Sequence, residues 1–121
     1  MVGLDGVRPG RIADKEALLS GSTFGLVDVP LPGFGAVRVR PLTRAEAMEI
    51  YDRPMSAAEM EQAVVSMACR EPTFTRGEVA RWQAHSAAGG PLFTLVNRIL
   101  AISGMEVGTG KAAYQRFRGP A

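Results

Sequence analysis

The chain is poor in the side chains that carry most enzyme chemistry, with one histidine, one cysteine and one tryptophan among 121 residues. A single cysteine, Cys69, excludes an intrachain disulfide and a multi-cysteine metal site. It lies within an apolar stripe, which predicts a buried, inert thiol. His85 would have to anchor any His-containing triad, yet the hydroxyl nearest in sequence is Ser86, and adjacent helix positions do not face one another. No HExxH spacing exists, so a zinc ion would need carboxylates for most of its ligands. Long apolar runs are missing as well. None approaches the ~20 residues that span a membrane, and Met1 to Gly10 holds no signal-peptide core, so a cytosolic protein is expected.

A strong charge of either sign is also absent. The net charge is +2, and twelve of the fourteen basic residues are arginine. Such weak positivity does not demand a nucleic-acid partner. Phosphate-binding loops fail on spacing. In Gly104 to Ala112, GMEVGTGKA, Met105 stands where a P-loop has its first glycine and Ala112 where it has Ser or Thr. Likewise Gly33 and Gly35 lack the third glycine of GxGxxG, because Arg38 occupies that position. Glu46 and Glu59 serve helix capping, so no acid pair with Glu49 or Glu61 is left to explain. These absences predict no catalytic residue, no cofactor and no metal.

What is present is a clear architectural signal. Val27, Val29 and Leu31 alternate with Asp28 and Pro30, and Val37 and Val39 alternate with Arg38 and Arg40, the period-2 pattern of half-buried strands. Between them Pro32 presets φ and Gly33 accepts the positive φ of a type II turn, with Gly35 easing the return. Pro30 and Pro41 lack a ladder donor and suit strand ends or an edge. A lone hairpin is marginal in water, so it must pack on helices or on another chain.

Helices follow. A short one is expected over Asp14 to Ser20, with Ala17, Leu18 and Leu19 inward and Gly21 stopping it. Thr43 and Glu46, Ser56 and Glu59, and Thr75 and Glu78 each form a capping box that opens a helix. The first begins at Arg44, buries Ala47, Met48 and Tyr51, and ends near Arg53 before Pro54. The second shows Met60, Val64, Met67 and Ala68 on one stripe and stops before Pro72. The third sets Val79 and Trp82 on one face and runs to Gly89 and Gly90. A final helix, Leu92 to Ser103, opens behind Pro91. Leu92, Leu95, Val96, Ile99 and Ile102 share its apolar side, Phe93 and Leu100 widen it, and only Thr94, Asn97, Arg98 and Ala101 remain for solvent. That helix is either nearly enclosed or offers surplus apolar surface to a partner. The expected fold is α+β, mainly α: an N-terminal β-hairpin on a bundle of about four short helices. Residues 13–104 form one domain, between a flexible arm, 1–12, and a flexible basic tail, 105–121.

Arg76, Arg81 and Trp82 suggest a nucleic-acid surface on a helix-turn-helix, but the helix after that turn is too apolar to read base edges. The tail, where Lys111, Arg116 and Arg118 flank Tyr114 and Phe117, is the better nucleic-acid or partner contact.

The order of elements, together with VPLPGFGAVRVRPLTRAE, EPTFTRGEVARW and PLFTLVNRILAISGM, resembles the small tail assembly chaperones of long-tailed bacteriophages over about Leu26 to Met105. The resemblance implies a non-enzymatic protein of the bacterial host's cytoplasm, absent from the mature virion. Its implied role is to bind the tape-measure protein and keep it soluble while the tail tube assembles. It also implies a short form, ending in the Gly-rich basic segment, beside a frameshifted longer form that is a further possible partner, as is a second copy. One departure is the connection Arg70 to Thr73, short and basic-containing where relatives often carry a longer acidic turn. Leu92, Phe93, Val96 and Leu100, the adaptable Met60 and Met67, and Tyr114 and Phe117 are the candidate partner-binding residues. Two other readings are a structural component of the tail or head-tail junction and a small DNA-binding regulator.

Overall fold

A computed structural model describes residues 12–20 and 25–105. Most of the arm and nearly all of the basic tail, including Tyr114 and Phe117, lie outside the described residues. The element order is α1 (Lys15–Ser20), β1 (Val27–Leu31), β2 (Gly35–Val39), α2 (Arg44–Asp52), α3 (Ala57–Ala68), β3 (Cys69–Glu71), α4 (Arg76–His85) and α5 (Pro91–Ile102). The fold is α+β, mainly α, with a three-stranded antiparallel sheet of order β1-β2-β3. No helix among the described residues is long and apolar enough to cross a membrane.

The hairpin follows from its residues. Val29 pairs with Val37 and Val27 with Val39, and Val29, Leu31, Val37 and Val39 turn one face into the core. Phe34 N–H donates to Leu31 C=O at 2.8 Å to close the turn. Gly33 and Gly35 take φ of 87° and 100°, which other residues resist because Cβ would crowd the following carbonyl. Pro30 lies on β1, an edge strand of the sheet, where a missing donor is tolerated. On the solvent face Arg38 reaches both neighbouring strands, at 2.8 Å from Asp28 and 3.3 Å from Glu71.

The third strand was not expected. Helix α3 ends at Ala68, and the next three residues pair with β2 through Val39↔Cys69 and Arg38↔Glu71, across a register shift. Cys69 therefore belongs to a strand beneath the core rather than to a helical stripe. It is buried, and desolvation pushes its thiol up to about 12, so it is protonated at neutral pH and is no nucleophile.

All three capping boxes form. The Thr43, Ser56 and Thr75 hydroxyls accept from the backbone of Glu46, Glu59 and Glu78 at 3.0, 3.1 and 3.1 Å, and each carboxylate accepts the cap N–H at 2.9 Å. Glu46 also binds both terminal nitrogens of Arg40, at 2.9 and 2.8 Å, and this tethers the end of the hairpin to the first turn of α2. The Arg40 hydrogen bonds hold its carboxyl below the ordinary value, against the opposing effect of burial.

The helical faces need three corrections. In α2 the buried residues are Ala47 and Ile50, whereas Met48 is exposed and Tyr51 half-buried. In α3 they are Ala63, Val64, Val65 and Ala68, with Met60 and Met67 half-buried against the core. Helix α1 buries nothing, leaving Leu18 and Leu19 at 69% and 72% exposure. At six residues it is too short to be stable without packing. Helix α4 also ends early. Ser86 turns extended, and the following Ala87, Ala88, Gly89 and Gly90 offer no large side chain to anchor another turn.

Helix α5 buries most of its apolar side. Leu92, Leu95, Val96, Ile99 and Leu100 are all buried, against α3 on one side and β1 on another. Its end is fixed twice. Gly104 N–H donates to Ala101 C=O and Met105 N–H to Leu100 C=O, at 3.1 and 2.7 Å, the two bonds of a Schellman cap. Met105 packs on the core. Ser103 Oγ donates to Ile99 C=O at 2.6 Å and accepts Leu42 N–H at 2.9 Å, a link across 61 positions.

Candidate partner-binding groove

Leu92, Val96 and Leu100, expected as partner contacts, are buried and pack in the core. Their apolarity is explained by packing against α3 and β1. Phe93 is 44% exposed. It lines a depression of about 320 Å³ with Leu92, Ala57, Ala58 and the Glu61–Gln83 pair. There the Gln83 amide donates to Glu61 Oε1 at 3.0 Å and Ala58 C=O at 3.2 Å, and accepts from Gln62 at 3.0 Å. A surface whose polar groups are so committed binds α3 to α4 and has little left for another chain. Met60 and Met67 lie half-buried elsewhere on α3.

A different set of residues forms open apolar surface. The hairpin turn, the loop after β3, helix α4 and the first residue of α5 enclose a groove of about 250 Å³. It is bordered by Leu31, Phe34, Gly35, Ala36, Val37, Pro72, Phe74, Trp82 and Pro91, of which Leu31 and Val37 are buried. None of these side chains is charged. Phe34 is held at the tip of the turn at 77% exposure. The Glu71–Pro72 peptide is cis, and two residues further on Phe74 stacks on Trp82 with ring centroids 5.3 Å apart and planes 25° from parallel.

Phe74 and Trp82 also border a second, more open depression of about 490 Å³ with Thr73, Glu78, Arg81 and His85. Arg81 and His85 lie four apart on α4 and so share a face. The Glu78 carboxylate already accepts the Thr75 N–H, whereas Arg81 forms no ion pair among the described residues.

His85 Nδ1 lies 3.0 Å from the Arg81 carbonyl, and no Ser, Cys or carboxylate side chain contacts the ring among the described residues. No group of three His, Cys, Asp or Glu side chains that could hold a metal occurs among them. The sequence did carry one signal for the groove, a phenylalanine between two glycines at a turn, where a polar residue is usual. Pro72, Phe74, Trp82 and Pro91 gave none, because they are brought together only by the chain's path.

All nine lining residues fall within three stretches of the chain, 29–46, 71–82 and 91–105: Leu31 to Val37 in the first, Pro72, Phe74 and Trp82 in the second, and Pro91 in the third. No family model matches the chain, and no curated protein and no solved structure matches it.

Proposed function

We propose that this protein is a non-enzymatic chaperone of bacteriophage tail assembly, binding the tape-measure protein in the host cytoplasm and keeping it soluble while the tail tube forms. The observation that carries the reading is the groove. Segments far apart in sequence, which together resemble that chaperone family, converge on one uncharged aromatic and proline-lined surface. Such a surface suits transient capture of apolar segments, since a large side chain leaving water contributes about 1.5–3 kcal/mol.

Co-expression with the tape-measure protein of the same genome provides the test. The chaperone reading expects a several-fold gain in soluble tape-measure protein and co-purification of the two chains. Unchanged solubility with no co-purification rejects it. Mass spectrometry of purified particles separates the alternative of a virion component: a chaperone is absent from them, a tail or junction protein present in stoichiometric amount.

A further inference from the structure

We draw no further inference here: the strongest candidate, the uncharged groove between the hairpin turn, the loop after β3 and helix α4, carries nothing beyond the reading above because nothing in the structure shows what covers it.

Discussion

Helix α5 and the aromatic groove are both apolar, and the fold exposes them to different degrees. Five α5 side chains are sealed between α3 and the sheet, whereas Phe34 and Pro72 stay exposed beside Phe74 and Trp82, which pack on the core and remain only partly open. Hydrophobicity along the chain therefore does not mark a binding surface. A periodic apolar stripe finds a partner inside the domain, because burying it there is what stabilises the helix. Phe34 at the turn and Pro72 after β3 belong to no periodic stripe that would bury them, and the chain's path leaves them at the surface beside Phe74 and Trp82.

The comparison can be broken at its closed end first. Leu95 is fully buried, so Leu95→Ala should cost about 2–5 kcal/mol through lost burial and a residual cavity, read as a lower urea midpoint at unchanged m-value. A stability change below about 1 kcal/mol would mean that α5 is not sealed as described.

Ser103→Ala tests how that end is fastened. It removes the acceptor of the Leu42 N–H, and a backbone donor left without its partner costs about 1–3 kcal/mol. The loss should appear in thermal melting and as faster hydrogen exchange at the Leu42 amide.

Acid probes the clamp between the hairpin and α2. The folded pKa of Glu46 lies below its ordinary value, chiefly through Arg40. Its contribution is thus complete above the unfolded pKa, about 4.3, and disappears as pH falls through the folded value. Glu46→Gln should be less stable than wild type at pH 7, by about 1 kcal/mol. The gap should begin to close as pH falls below the unfolded value and vanish once it has passed the lower folded one. Urea midpoints from pH 3 to 7 measure it, and a gap that widened in acid would contradict the assignment.

The smallest stability effect is expected at the open end. Phe34→Ser should change stability by no more than about 0.5 kcal/mol, because the side chain is 77% exposed, while weakening client capture. Equal losses of stability and binding would show that Phe34 is structural, and the contrast with Leu95 would collapse.

Much of the fold is legible in the sequence where the signal is local. The alternation of Val29, Leu31, Val37 and Val39, the Pro32-Gly33 turn and the three capping boxes act over a few residues, and each appears where the residues place it. Strand β3 was invisible because three residues cannot display a period, and its existence depends on the edge that β2 presents. Ile50 rather than Met48 faces inward because a helix of two and a half turns offers more than one plausible stripe, and the packing of α3 decides between them. Leu18 and Leu19 read as core only if something covers them, and among the described residues nothing does. The groove was hidden for a related reason. Its members lie up to 60 positions apart, from Leu31 to Pro91, and no local pattern joins them.

The hairpin tip has a practical consequence. A Cβ added at Gly33 or Gly35 would meet no atom within 4 Å, yet both positions hold a left-handed φ, so the two glycines are constrained by backbone geometry alone while Phe34 between them is constrained by neither space nor conformation. The tip is a fixed mount carrying an exchangeable fitting. Varying residue 34 alone offers a way to retune what the surface recognises without asking the rest of the molecule to fold differently.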